Sequence, residues 1–270
     1  MAFRPWEGKA LFTMMITTFS KVQSSEKKMG TPGTTVALRS YLMEKRNYFF
    51  IKRVFDIFLS SLVIVFLLSW LVPIIALLIK LDSNGPVFFV QRRVGRWGRS
   101  FKCLKFRTMV VNEQANVKQA SDNDSRITRV GNFLRRSNLD EFPQFFNVLV
   151  GQMSIVGPRP HMHSDCNSFS AVVANYKLRN MVKPGITGLA QVKGYRGPTS
   201  SFEDVFHRYQ FDAFYIRNAN FWLDMRIVRK TAGQTVKTIL DKLFLKTEVE
   251  QTEPETTPRR WTAASFRSLN

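Results

Sequence analysis

Cysteine and histidine are scarce in this chain, with Cys103 and Cys166 the only cysteines and three histidines among 270 residues. Two isolated cysteines make neither a disulfide framework nor a zinc spacing, and they read as reduced thiols. His161 and His163, two positions apart, are too few for a metal site and read as part of a surface loop. Acidic residues are also in short supply, 20 Asp and Glu against 40 Lys and Arg, leaving a formal charge of +20. Such an excess calls for an anionic partner, which nucleic acid, anionic lipid and phosphorylated substrates all satisfy. No internal repeat is present. The stretch "ALFTMMITTF", Ala10 to Phe19, is short and no small-residue cleavage site follows it, so it reads as an extension and not as a signal peptide.

Against these shortages stands one long apolar run. From Ile57 to Ile79 no residue is charged, and at 1.5 Å per residue the run reaches roughly 34 Å, enough to cross a bilayer. Lys52 and Arg53 precede it, and Lys80, Arg92, Arg93, Arg96 and Arg99 follow it. Positive charge on both flanks gives a spanning helix no orientation. It fits a re-entrant hairpin with both ends on one face, the other reading being a kinked spanning helix. Pro73 cannot donate to the Ser69 carbonyl four residues back, and a serine hydroxyl often helps satisfy a carbonyl freed in lipid. Ser69 and Pro73 are therefore the expected kink pair of the membrane hairpin.

The organisation follows from punctuation and periodicity. Residues 1–47 read as an extension, 48–82 as the membrane helix, 83–245 as the functional domain and 246–270 as a disordered tail. "VFFVQ" and "SFKCLKFRTMVV" read as strands, "NEQANVKQASDNDSRI" as a mobile loop, and residues 129–150 as helical. "KPGITGLAQVKGYRG" reads as loop and strand. Phe221, Met225, Val228, Ala232, Val236, Ile239 and Leu243 recur every three or four residues, with basic residues on other faces, which predicts a basic amphipathic helix over 221–244. It either packs on the core or lies on an anionic membrane surface.

The stretch "SNLDEFPQFFNVLVGQMSIVGPRP", Ser137 to Pro160, places Asp140 and Glu141 side by side at the head of apolar residues. Pro143 is tolerated only in the first turn of a helix, so the helix starts near the pair, with Asp140 as N-cap or Ser137 as the cap of a capping box. The plain reading is that the two acids only cap that helix. The surroundings argue for more. Lys105 and Arg107 stand in "KFRTM", Arg135 and Arg136 just before the pair, and Arg159 between two prolines in "GPRP". Guanidinium groups suit bidentate phosphate recognition. An aspartate can attack phosphorus to give an acyl phosphate, and a neighbouring glutamate can hold Mg²⁺.

The blocks "KRVFDIFLS", "LIKLDSNGPVFFVQRRVG", "FKCLKFRTM", "RITRVGNFLRRSNLDEFPQFFNVLVGQMSIVGPRP" and "MVKPGITGLAQVKGYRG" closely resemble the bacterial sugar transferases, the monotopic phosphoglycosyl transferases. The resemblance runs from about Lys52 to about Leu243. It implies an α+β fold: a small, mainly helical catalytic unit with short strands, on a re-entrant kinked membrane helix with interfacial amphipathic helices. It implies transfer of a sugar 1-phosphate from a UDP-sugar to polyprenyl phosphate by ping-pong, with UMP released. Carried over, Asp140 is the nucleophile and Glu141 the Mg²⁺ ligand. Lys105, Arg107, Arg135 and Arg159 are substrate-binding, as is Asp212 in "FDAFYI", whose role the resemblance fixes least.

The family often bends its helix at an adjacent Ser-Pro pair, whereas here Trp70 follows Ser69 and the proline comes later, at Pro73. Larger relatives carry four spanning helices and a nucleotide-binding-like domain ahead of the catalytic part; this chain reads as the short form. "KGYRGPTSSFEDVFHRYQFDAFYI" resembles the version in hexose-1-phosphate transferases, which implies UDP-glucose or UDP-galactose, the alternative being an N-acetylated UDP-sugar. Membrane lipids are then partners and nucleic acid is not expected. The place implied is the cytoplasmic face of the bacterial inner membrane. A membrane-tethered nucleic-acid or lipid binder would explain the charge but gives Asp140 and Glu141, which repel phosphates, no task.

Overall fold

A polar stripe on an otherwise apolar helix organises the molecule. The computed structural model describes residue 40 and residues 43–111, 124–197 and 202–244. Most of the expected N-terminal extension, most of the expected mobile loop and the expected disordered tail lie outside these residues. Helix α1, Arg46–Val63, passes through a π-helical turn, Ile64–Leu68, into α2, Ser69–Asp82. Together they form a single helix of 37 residues, the one among the described residues long and apolar enough to cross a membrane.

Its burial is inverted. Lys52, Asp56 and Ser60 are buried, while Phe50, Ile51, Val54, Phe58, Val65 and Phe66 are exposed. Residues 52, 56 and 60 share one helical face, and that face meets the rest of the protein. Lys52 Nζ pairs with Asp224 at 2.7 Å, the Tyr48 hydroxyl donates to Asp224 at 2.8 Å, and the Ile155 N–H donates to Asp56 at 3.0 Å. Arg53 donates to the Val148 and Leu149 carbonyls. A large outward apolar face bonded inward by polar groups is the pattern of a lipid-facing element.

The helix runs on through Pro73, and its irregular turn lies just before the expected kink pair, Ser69 and Pro73. Widening to the π register leaves carbonyls short of backbone donors. The Ser69 hydroxyl donates to the Val65 carbonyl at 2.6 Å and the Trp70 indole to that of Phe66 at 2.8 Å. Ser69 thus serves the expected purpose on a different carbonyl.

Beyond the helix, β1, Phe88–Val94, and β2, Ser100–Phe106, form an antiparallel hairpin with Phe88 opposite Phe106 and Val94 opposite Ser100. Helix α3, Arg129–Ser137, starts at Thr128, whose side chain accepts from Gly131 N, and a 3₁₀ turn, Leu139–Glu141, follows. Short helix α4, Gln144–Leu149, leads to β3, Ser154–Val156. Then come α5, His163–Val172, a 3₁₀ segment, Tyr176–Met181, and β4, Gly185–Thr187, which pairs parallel with β3. One-turn α6, Leu189–Val192, precedes α7, Phe202–Asn218, and α8, Phe221–Phe244.

The fold is thus α+β and mainly helical with short strands, as expected. Helix α8 occupies the residues its periodicity predicts. The stretch 129–150 is not one helical segment: Asn138 takes a left-handed φ of 59° and turns the chain. Residues 189–192, expected as loop or strand, make a helical turn.

The core gathers Cys103, Val148, Met153, Val156, Leu189, Ile216 and Ile227, with Tyr48, Phe55 and Leu59 of α1 packed against it. A separate cluster joins Ile75 and Ile79 of α2 to Phe106 and Leu134. Both halves of the apolar helix therefore pack on the same body. Cys103 and Cys166 are free and buried.

Candidate active site

The acidic pair owes its setting to backbone details on three sides. Asn138 tolerates the left-handed region better than most residues, and the 3₁₀ turn that it opens carries both Asp140 and Glu141. Neither expected cap forms. The Ser137 hydroxyl donates back to the Phe133 carbonyl at 2.8 Å, and α4 begins after Pro143 with no side-chain cap. The pair stands one turn ahead of α4.

Glu141 is buried and held by two cations. Arg159 grips it bidentately, Nη1 to Oε2 at 2.9 Å and Nη2 to Oε1 at 2.6 Å, and Lys105 Nζ reaches Oε1 at 2.8 Å. Burial disfavours its charge, but Arg159 and then Lys105 outweigh that and hold the carboxyl well below its ordinary range. Charge-assisted bidentate pairing of this kind is among the stronger polar contacts.

Asp140 differs. It is half-buried, and no hydrogen bond or ion pair reaches its carboxylate among the described residues. Burial first, and the Glu141 charge second, push it up to about 6, against the pull of Lys105, Arg159 and Arg135. The neighbours thus hold one oxygen acid ionised and leave the other open, with a proton affinity near neutrality.

The supports of these side chains are local. Lys105 lies near the end of β2, whose edge Asn147 of α4 stitches in place. Asn147 accepts from Leu104 N at 2.9 Å and donates to the Lys102 carbonyl at 2.7 Å. Arg159 leaves the end of β3, where Gly157 N donates to the Thr187 carbonyl at 2.9 Å and Gly185 N to the Pro158 carbonyl at 3.0 Å. A Cβ on Gly185 would overlap the Gly157 nitrogen, so the close approach of the two segments requires glycine there.

Of the expected site residues, the structure brings Asp140, Glu141, Lys105 and Arg159 together and keeps Arg135 within electrostatic reach. Arg135 has a buried guanidinium nitrogen with no hydrogen-bond partner among the described residues. Arg107 does not join them. Strand β2 ends at Phe106, and the Arg107 guanidinium donates to the Ser83 carbonyl at 2.8 Å and to that of Asn84, bolting the exit of α2. Asp212 is not at the acidic pair either. It is buried and accepts from Arg179, Nη2 at 2.7 Å and Nε at 3.1 Å. His161, expected on the surface, is buried, with Nδ1 at 2.8 Å from the Tyr176 hydroxyl.

Three arginines not among the expected site residues lie around Arg159. Arg179 donates to the Arg159 carbonyl at 2.8 Å. Arg208 donates to the Gly197 carbonyl at 2.7 Å. Arg196 is half-buried with no side-chain hydrogen bond among the described residues. Burial lowers its pKa, and the groups whose charge it feels are Glu141, Arg159 and Asp140. Only its place in "KGYRG" gave any signal.

The acids also bear on metal binding. Asp140 has both oxygens open, while Glu141 accepts three hydrogen bonds out of about four acceptor positions, leaving one on Oε2. No third His, Cys, Asp or Glu joins them among the described residues. The donor set fits a Mg²⁺ that takes one or two carboxylates from protein and the remainder from phosphate and water. It is not an all-protein cage.

An open carboxylate beside a clamped one, ringed by guanidinium groups on a unit with a long apolar helix, defines an anion-handling site suited to phosphate chemistry. The chain belongs to the bacterial sugar transferase family, whose profile matches residues 47–238. It is 46% identical over 220 residues to a UDP-glucose:undecaprenyl-phosphate glucose-1-phosphate transferase of Klebsiella pneumoniae, covering 81% of this chain and 46% of that one. It is 44% identical over 200 residues to a UDP-N-acetylgalactosamine-undecaprenyl-phosphate N-acetylgalactosaminephosphotransferase of Aeromonas hydrophila, covering 74% and 46%. An exopolysaccharide production protein of Rhizobium leguminosarum bv. phaseoli is 45% identical over 183 residues, with 66% of this chain and 91% of that one aligned. The chain spans about half the length of the first two.

Proposed function

We propose that this protein transfers a sugar 1-phosphate from a UDP-sugar to polyprenyl (undecaprenyl) phosphate, with release of UMP, as the first membrane step of exopolysaccharide or glycoconjugate assembly. The observation that carries this reading is the asymmetry of the acidic pair. Glu141 is clamped by Arg159 and Lys105, while Asp140 beside it has no hydrogen-bond partner among the described residues.

An open Asp140 oxygen attacks the sugar-bearing phosphorus of the UDP-sugar. A P–O bond forms to Asp140, the P–O bond of the diphosphate breaks, and UMP leaves with the electron pair. A phosphate oxygen of the polyprenyl phosphate then attacks the same phosphorus. That step breaks the acyl-phosphate bond, frees Asp140 and yields the polyprenyl-diphosphate sugar. Arg159 and Lys105 place positive charge where the leaving phosphate gains negative charge, and the Arg135 charge adds to theirs at Asp140. Glu141 would hold Mg²⁺ through its remaining acceptor position, and the ion supplies neutralisation of the diphosphate.

The names of the relatives support a hexose donor, UDP-glucose foremost, because the Klebsiella protein acts on UDP-glucose by name. The Aeromonas protein supports the second reading, an N-acetylated UDP-sugar. Packing of α1 and α2 on one body supports a re-entrant helix with both ends at the cytoplasmic face of the inner membrane. The test is UMP release by purified protein across a panel of UDP-sugars with polyprenyl phosphate. Release with UDP-glucose supports the reading, and release of UDP, or of no nucleotide, opposes it.

A further inference from the structure

Behind Arg159 the structure places a second buried ion pair that reaches the active site only through the backbone. Arg179 Nη2 donates at once to Asp212 Oδ2, at 2.7 Å, and to the Arg159 carbonyl, at 2.8 Å. Nε adds a bond to the same Asp212 oxygen at 3.1 Å. The Arg179 guanidinium also lies over the Tyr176 ring at 5.2 Å. Both partners are almost fully enclosed, with side-chain exposures of 2% each. We infer that Arg179, fixed by Asp212, is a positioning residue for Arg159, setting the fork that holds Glu141.

Pro158 and Pro160 fix their own φ, and Pro160 keeps Arg159 out of the helical region. The hydrogen bond into the Arg159 carbonyl fixes the remaining freedom of that peptide. With the main chain held, the side chain starts from one place and meets both Glu141 oxygens in parallel. A fork needs such control more than a point charge does. Asp212 supplies the countercharge without which burying Arg179 would be costly. Arg208, nearby and also buried, has no carboxylate hydrogen bond and instead holds the Gly197 carbonyl. It therefore cannot replace Arg179 in this contact. Asp212, expected to bind substrate, acts in this role on Arg179 alone.

This role rests on the proposed phosphotransfer, and non-additivity tests it. UMP release is measured at steady state for Arg179→Lys and Asp212→Asn, each in the parent and in an Arg159→Lys background. A misplacement of about 1 Å costs about 10²-fold in rate, so Arg179→Lys is expected to lower kcat by about that factor in the parent with a small change in KM. In the Arg159→Lys background, where no fork remains to place, the same change is expected to cost only about threefold, since residues acting through one another are not additive. Asp212→Asn, nearly isosteric, is expected to show the same pattern more weakly and keeps the test open if Arg179→Lys fails to fold. Equal losses in both backgrounds, tracking the fall in Tm, would show a merely structural pair and overturn the inference. A parent protein that releases no UMP defeats the activity reading and, with it, this role.

Discussion

Arg159 and Glu141 meet through two parallel hydrogen bonds, of 2.9 and 2.6 Å, between residues eighteen positions apart in sequence. The pair joins the end of β3 to the 3₁₀ turn after α3. It leaves the adjacent Asp140 as the open carboxylate of the site.

Replacing Glu141 by glutamine removes the countercharge of both Arg159 and Lys105. A buried ion pair broken on one side costs about 3 kcal/mol, so Glu141→Gln is expected to lower the unfolding free energy by about that amount. Denaturant melts in detergent measure it, and UMP release should fall by at least about 10²-fold.

The two acids have opposite pH signatures. Asp140 titrates in the folded protein near 6, above its unfolded value near 4, so the folded state binds the extra proton between these limits. Its ionisation therefore costs stability above pH 6, and that cost disappears as pH falls towards 4. Asp140→Asn is expected to raise stability at pH 7 by on the order of 2 kcal/mol while abolishing turnover. The gain should vanish at pH 4, as thermal melts at the two pH values will report. Glu141 is held low and contributes stability above its unfolded pKa, lost as pH falls below it.

Arg196 offers a guanidinium to the site without a hydrogen-bond partner among the described residues. Arg196→Ala is expected to reduce kcat/KM for the UDP-sugar by about 10- to 100-fold, the range of a charged hydrogen bond lost at an interface with substrate. Tm should change little, since no bond of the folded protein is removed. Steady-state UMP release and a melt check both halves.

Asp224 joins α8 to the apolar helix through Lys52 and Tyr48, and to α7 through Tyr215. Asp224→Ala is expected to destabilise by about 3–5 kcal/mol, because it leaves Lys52 buried without its partner. Limited proteolysis in detergent should then cut between the helix and the domain before it cuts elsewhere.

The sequence spoke most clearly where structure is local. The 37-residue helix announced itself by hydropathy and α8 by its period, and the acids, Lys105 and Arg159 sit in short blocks whose chemistry is readable in place. What it concealed is tertiary. Arg107 follows Lys105 by two positions, so a longer strand would aim both at the site, but β2 stops at Phe106 and Arg107 turns to the end of α2. Arg179 and Arg208 are single arginines in segments without pattern; the packing of α7 on the 3₁₀ segment gives Arg179 its Asp212, and Arg208 finds the Gly197 carbonyl. The break at Asn138 splits a stretch whose propensities are otherwise helical. His161 follows a Pro-rich turn and looks exposed, yet the aromatic rings of Phe169 and Tyr176 enclose it.

The central claim is that Asp140, and not Glu141, carries the phosphosugar. Purified protein incubated with UDP-glucose alone, without lipid acceptor, should gain the mass of one hexose phosphate by intact-protein mass spectrometry. Peptide mapping should place that mass on Asp140, and polyprenyl phosphate should discharge it. Loss of the adduct in Asp140→Asn is the predicted result. An adduct that persists in Asp140→Asn, or maps to Glu141, would contradict the account.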